Sequence, residues 1–491
     1  MLLPVLIILP VLAGLCCLGT ASRRSWERLN VGVFSLNAVV ALCLGLNVAN
    51  LGEGGKMAAL GGFLQVDALS ALVLVLTAFV ALVCSIYAVG YFRRDLEQNR
   101  ITESQLRHYY LLAPLFVSAM LLAPMADNLG VMWVAIETTT LASVLLITFY
   151  NQKTSFEAGW KYIIIGSVGI SLALFGTVIT YSSGVRVLNA EAGGSMSWSA
   201  LTTVAHQFDP RVMRLAFLLV LLGYGTKAGL APMHTWKPDA YAEAPVPAAA
   251  LLGAGFLNCA IYAIMRFNVL TEKCLGPEFS SRLLIGFGIF SILLAAPFVL
   301  VQRNYRRLLA YSSIDHAGIM VAALGFGGHL GALAAILHMA FHAVTKPLLF
   351  FCAGNVQQQF GTPHFRKVQG VIHVLPWTAV LFVLAAFAVT GTPPFSIFQS
   401  EFTALSAALE ANRPWVAGLF VLGVVVIFIG FLLHMAKMNL GAGPDKSIRA
   451  PECPWKLASM AIVAVVIICL GLWIPAPLYQ LVLSSARILG G

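Results

Sequence analysis

The chain of 491 residues is 59% hydrophobic and only 10% charged, with a net charge of +10. A soluble domain carries about 25% charged residues, so this composition excludes a water-exposed globular fold and points to one polytopic membrane domain. No basic run is interleaved with aromatics, which argues against a nucleic-acid face, and the nine cysteines contain no Cys-x-x-Cys pair that would read as an iron–sulfur or disulfide framework.

A membrane span needs about 20 apolar residues. Fourteen such stretches are predicted, at 2–20, 30–50, 67–91, 109–126, 128–149, 159–182, 212–233, 246–270, 282–301, 306–327, 330–355, 372–396, 414–437 and 457–480. The first starts without a basic leader and reads as a span, not a cleaved signal. The seventh and twelfth run into Gly/Pro-rich text, "GTKAGLAPMHTWKPDA" at 225–240 and "TGTPPFSIFQSEF" at 390–402. Broken segments in corresponding places point to inverted repeats with discontinuous helices. The predicted fold is therefore an all-α polytopic membrane protein with two inverted five-helix repeats, spans 4–8 and 9–13, and two broken helices. It divides into a three-span N-terminal segment (1–106), a first repeat (107–270), a second repeat (281–440) and a C-terminal loop with the last span (441–491).

Loop charges set an orientation. Nineteen of the 30 Lys and Arg, Lys161, Lys237 and Lys446 among them, fall at the odd-numbered loops, and nine at the even loops and C-terminus. The positive-inside rule then places the odd loops in the cytoplasm and both termini outside, in a cell (inner) membrane. Lys227 and Lys346 fall inside spans.

Few other ionisable groups sit at membrane depth. Glu137 lies in the fifth span, Lys227 beside the break of the seventh, Asp315 and His316 in the tenth, and Glu401 just after the break of the twelfth. In "ILHMAFHAVTKPLLFF", His338, His342 and Lys346 follow one another at four-residue spacing, which puts them on one helix face. Intramembrane charges are costly and are usually functional, though a structural pair or a group reaching the interface is the plainer alternative. That alternative weighs most for Asp315 and Lys161, either of which could lie near a span end. A buried lysine is pushed toward its neutral form and drawn back by a carboxylate, while histidine titrates near neutrality. Broken helices expose backbone groups that hold water. These residue types predict a hydrated proton relay from Glu137 to Lys227, across to His342, His338 and Lys346, then Glu401.

The stretches "DNLGVMWVAIETTTLAS", "GTKAGLAPMHTWKPDAYAEAP", "RRLLAYSSIDHAGIM", "LHMAFHAVTKPLLFFCAGNV" and "GTPPFSIFQSEF" occur in order along the chain. Together they resemble the antiporter-like subunits of respiratory complex I and of the multi-subunit sodium/proton antiporters, from about the third span to the thirteenth. "WVAIETTTL", "AGWKYIIIGSVGI" and "VQRNYRRLLAYSS" narrow the resemblance to the membrane subunits of nickel–iron hydrogenases of the hydrogenase 4 and formate hydrogenlyase type. The resemblance implies translocation roles for Glu137, Lys227, His338, His342, Lys346 and Glu401. It also implies membrane partner subunits, with hydrogenase and iron–sulfur subunits beyond them. The nickel–iron centre and clusters would sit in those partners, with no cofactor in this chain. A sodium/proton antiporter subunit with no redox partner is the alternative. One departure stands out: many relatives carry a lysine or histidine in mid eighth span, where Asn258 stands here. Asparagine cannot carry a proton, so either water and His342 bridge the gap or the subunit conducts poorly.

Overall fold

The structure is a computed structural model that describes residues 2–19, 22–52, 54–188, 196–442 and 449–490. Lys446, one of the loop cations, lies outside the described residues. The helices in chain order are α1 (Leu2–Gly19), α2 (Arg23–Asn50), α3 (Ala68–Glu97), α4 (Glu103–Met125), α5 (Leu129–Ile147), α6 (Lys153–Leu188), α7 (Trp198–Val204), α8 (Pro210–Ala228) and α9 (Trp236–Glu243). They continue as α10 (Val246–Ala250), α11 (Leu257–Leu275), α12 (Pro277–Val301), α13 (Tyr305–Phe326), α14 (Gly328–Phe360), α15 (Val371–Val374), α16 (Pro376–Val389), α17 (Ser396–Glu410), α18 (Pro414–Leu440), α19 (Pro454–Leu472) and α20 (Ala476–Ile488). Between α2 and α3, β1 (Met57–Ala59) pairs antiparallel with β2 (Leu64–Val66), a small hairpin that the all-α reading did not include.

Among the described residues, 12 helices are long and apolar enough to cross a membrane, against fourteen expected. The difference has a local cause. The seventh and twelfth predicted spans are each interrupted at the Gly/Pro text that marked them, as α8/α9 and α16/α17: α16 and α17 are 14 and 15 residues and too short to cross, while α8 keeps 19 residues but carries Arg211, Arg214 and Lys227. The fourteenth span is also shorter than read: α19 stops at Leu472, before the Pro475 and Pro477 that cannot continue it, and α20 follows.

Burial does not follow apolarity. The most apolar helix, α18, is 33% buried along its best stretch, as is α1. The α10–α11 segment, Val246–Leu275, is 100% buried, and α13 and α14 are 94% buried, although all three are less apolar. Lipid tails are as apolar as leucine, so the outer helices present Leu422, Val425 and Leu433 of α18 or Ile164 and Phe175 of α6 to the bilayer. Polar groups cannot be left there, and collect on the inner helices. Helix α14 is the centre of the molecule, packed against α3, α13, α16, α17 and α19.

Small residues set the tightest crossing in the first half. A Cβ on Gly223 of α8 would lie 2.5 Å from Ala173 N and 2.6 Å from Gly169 O of α6, and one on Gly169 would lie 2.5 Å from Thr226 Cβ. The backbones of α6 and α8 therefore touch, as small residues allow in membranes.

Candidate functional site

At the first break, α8 ends because Gly229 adopts a left-handed conformation (φ 75°) and Pro232 follows. The last carbonyls of α8 lose their helical partners and take others. Thr226 O accepts from Trp236 Nε1 at 2.9 Å, and Ala228 O accepts from Lys237 Nζ at 2.7 Å. Lys227, one residue before this terminus, is buried. Its Nζ donates to Thr140 Oγ1 at 2.5 Å and to Glu137 Oε2 at 3.3 Å, and Thr140 Oγ1 donates to the same carboxylate oxygen at 3.1 Å. Glu137 and Thr140 are three residues apart on α5, hence on one face. Gly166 of α6 leaves the space beside Lys227 Nζ, since a Cβ there would approach it to 3.2 Å.

The second half holds a longer polar line. Lys346 Nζ on α14 donates to Ser312 Oγ on α13 at 3.1 Å. Asp315 and His316 follow on α13, one turn on from Ser312. His316 stacks near His342 with ring centroids 5.0 Å apart, and its Nδ1 shares a 2.8 Å hydrogen bond with His338 Nε2. His338 Nδ1 in turn meets Ser400 Oγ on α17 at 2.9 Å. Glu401, the next residue, lies against the second break: its Oε2 occupies the space where a Cβ on Gly391 would stand, and Gly391 itself has φ 66°. His316, His338 and Glu401 offer ligand atoms within 4.8 Å of one another, a set that could in principle hold a metal ion. The His316 and His338 rings are already joined by a hydrogen bond, which suits proton sharing better.

Most of the predicted residues are thus brought into two connected groups, with three corrections. The order on α14 differs from the one expected, which put Lys346 last before Glu401: Lys346 lies toward the first half, His342 is in the middle, and His338 lies next to Ser400 and Glu401. Asp315 does not lie near a span end. It sits in mid α13 at 3% exposure, with Oδ1 lacking any protein partner. Lys161 is not brought to the buried row. Its side chain is 44% exposed and bonds Glu157 at 2.6 Å and Asp239 at 2.9 Å, and Asp239 also pairs with Arg307. Such an exposed network is worth little on its own.

Lys237 was placed in a loop by sequence, yet it is fully buried (0% exposed) beside the first break. His316 was noted but not carried as a site residue. Thr140, Ser312 and Ser400 gave weak signals: Thr140 follows Glu137 at helical spacing, while Ser312 and Ser400 sit in two of the stretches that carry the resemblance, beside Asp315 and Glu401, without being given a role. Asn258 lies just after a π-helical turn, Leu251–Phe256, is wholly buried, and has neither side-chain polar atom bonded. Both ring nitrogens of His342 are likewise without a protein partner.

Residues 126–429 match the family described as NADH:quinone oxidoreductase/Mrp antiporter, TM, and residues 62–100 match the N-terminus of complex I chain 5. The chain is 37% identical over 399 residues to a hydrogenase-4 component F homolog of Methylacidiphilum infernorum, which spans 80% of this chain and 83% of that one. Among solved structures it is similar to a subunit of the membrane-bound sulfane sulfur reductase, an archaeal respiratory membrane complex, with a TM-score of 0.86 at 23% identity over 99% of this chain and 96% of that one. It is also similar to a subunit of the Mrp complex from Dietzia, with a TM-score of 0.81 at 19% identity over 99% and 96%. At those identities the two structures bear on the fold alone.

Proposed function

The chain belongs to the NADH:quinone oxidoreductase/Mrp antiporter family and is an antiporter-like membrane subunit of the complex I, hydrogenase-4 and Mrp type, and from that premise we propose that it moves protons along the buried row from Glu137 to Glu401. The observation that carries this reading is the alignment of buried polar groups: each broken helix places a titratable residue, and between them Lys346 bonds Ser312, while one turn further along α13 ring contact and hydrogen bonds join His342, His316, His338 and Ser400.

The chemistry of each part follows from its surroundings. Glu137 is 24% exposed at its side chain and Lys227 1%, so the pair opens toward the flank of the bundle through the carboxylate and toward the interior through the amine. A proton on the pair is shared between carboxylate and amine, with Thr140 Oγ1 bonded to both. When Glu137 is protonated it no longer holds the ammonium, and Lys227 gives up its proton inward. In the second half the imidazoles can pass a proton by accepting on one nitrogen and donating from the other. The unpartnered polar atoms of His342, Asp315 and Thr345 need water, since buried polar groups without partners are costly. They make this stretch the wet part of the path.

The hydrogenase-4 relative supports a further reading: electron transfer in hydrogenase and iron–sulfur partners, which would carry the nickel–iron centre and clusters, drives the movement. Odd-numbered loops then face the cytoplasm across a cell inner membrane. The alternative, a sodium/proton antiporter subunit without redox partners, uses the same residues. Purification from native membranes in mild detergent, followed by mass spectrometry and proton uptake in proteoliposomes of the purified assembly, tests both. Co-purifying hydrogenase chains and loss of uptake in Lys227→Ala support the redox-driven path. Small hydrophobic antiporter chains alone would transfer the row to the alternative, and unchanged uptake in Lys227→Ala would sink the proton-path reading.

A further inference from the structure

Lys237 is the one fully buried cation among the described residues whose hydrogen bonds go only to main-chain carbonyls. Its Nζ donates to Ala228 O at 2.7 Å and to Ser313 O at 3.4 Å. These two acceptors belong to different halves of the molecule. Ala228 is the residue after Lys227, at the end of α8. Ser313 is the residue after Ser312, the acceptor of Lys346 Nζ. The aliphatic stem of Lys237 crosses the gap left by Gly229, where a Cβ would stand 2.6 Å from Lys237 Cδ, and the ammonium lies 5.6 Å from the Tyr241 ring centroid. Its charge is close enough to Lys346, His342 and His316 to interact with each. Among the described residues no carboxylate bonds it.

A plainer account exists. A cation at a helix C-terminus caps free carbonyls and meets the negative end of the helix dipole. That account explains the bond to Ala228 O. It does not explain why the group also reaches α13 of the other half, next to the one hydroxyl that Lys346 holds, nor why it stands without a counter-ion among three other titratable groups. Asn258 cannot fill this position, since an amide neither takes up nor releases a proton in this range.

We propose that Lys237 is the proton-carrying station between the two halves, taking a proton from Lys227 and passing it to Lys346. The inference rests on the reading of the row as a proton path. The step balances as an exchange between amines. An N–H bond of the Lys227 ammonium breaks, one forms on neutral Lys237, and the charge moves with the proton. The same exchange then neutralises Lys237 and charges Lys346, with water carrying the proton across the gaps that the amines do not span directly. Only one of Lys237 and Lys346 is charged at a time, because two ammonium groups at this spacing repel in a low-dielectric interior.

The test is proton flux into proteoliposomes of the full chain under an imposed membrane potential, read with an internal pH dye, for Lys237→Arg, Lys237→His and Lys227→Ala. Arginine keeps a capping cation but cannot release its proton. On the proposal Lys237→Arg loses flux about 100-fold, in the range of a missing proton-transfer group, while Lys237→His conducts with a pH profile moved toward acid. If Lys237→Arg conducts within about twofold of the parent while Lys227→Ala does not, Lys237 is a cap and the inference fails with the row intact. If Lys227→Ala also conducts, the row itself is not the path and both readings fall. Should the arginine variant not fold, the pH profile of the histidine variant decides: an acid shift supports the station, and an unmoved profile overturns it.

Discussion

Lys346 Nζ on α14 bonds Ser312 Oγ on α13 at 3.1 Å, next to Ser313 O, which accepts from Lys237 Nζ at 3.4 Å, and together these contacts put the Lys346 end of the α14 row toward the first half of the molecule. They turn a stripe that sequence could only place on one face into a directed line running from Lys346 to His338. Directionality matters for a relay, because removing an end and removing a middle member have different consequences.

The His338 ring holds both links at the far end of the row, to His316 and to Ser400, whereas His342 has neither ring nitrogen bonded to protein. His338→Ala is therefore expected to reduce proton flux about 100-fold. His342→Gln is expected to cost much less, since a second polar group can hold the same water. Flux assays on the two variants in proteoliposomes check this; equal losses would contradict the line drawn here.

Gly391 has φ 66° and leaves no room for a side chain beside the Glu401 carboxylate. Gly391→Ala is expected to lower stability by about 1–2 kcal/mol through backbone strain alone, and to displace Glu401 as well. The variant should lose flux as Glu401→Gln does and should melt earlier in detergent, whereas Glu401→Gln should not. Thermal unfolding of the two proteins side by side separates strain from chemistry.

Gly223 of α8 lies against Ala173 and Gly169 of α6 with no space for a methyl group. Gly223→Ala forces the helices apart at a cost of about 1–3 kcal/mol. Lys227 lies one turn further along the same helix, and the shift should lengthen its 3.3 Å contact with Glu137. The expected result is a lower melting temperature together with reduced flux, measured on the same preparation.

Arg266 and Asp67 form a buried pair at 2.6 Å, away from the row, with Arg266 also bonded to Ser70 Oγ at 2.9 Å. Arg266→Leu leaves Asp67 buried and uncompensated, and should destabilise the fold by about 3–5 kcal/mol. Flux per folded molecule should be unchanged. A loss of flux without loss of stability would place this pair in the path instead.

Sequence by itself determined the class of the protein, the position of almost every span, and the two breaks. These are local properties: an apolar run of span length, or a Gly/Pro cluster that a helix cannot pass. It also placed His338, His342 and Lys346 on one face, because four-residue spacing is a property of a single helix. Tertiary structure decided what one helix cannot know. Ser312, His316 and Ser400 come from other helices, so the order of the row depends on how α13 and α17 cross α14. Lys237 reads as a loop cation until the turn at Gly229 folds it back under α8. Lys161 reads as a candidate relay cation near a span end until Glu157 and Asp239 are seen to hold it at the surface. Apolarity could not tell lipid-facing helices from interior ones, because the bilayer and a packed core reward the same side chains. Only the need to gather polar groups away from lipid sorts them, and that is settled when the helices meet.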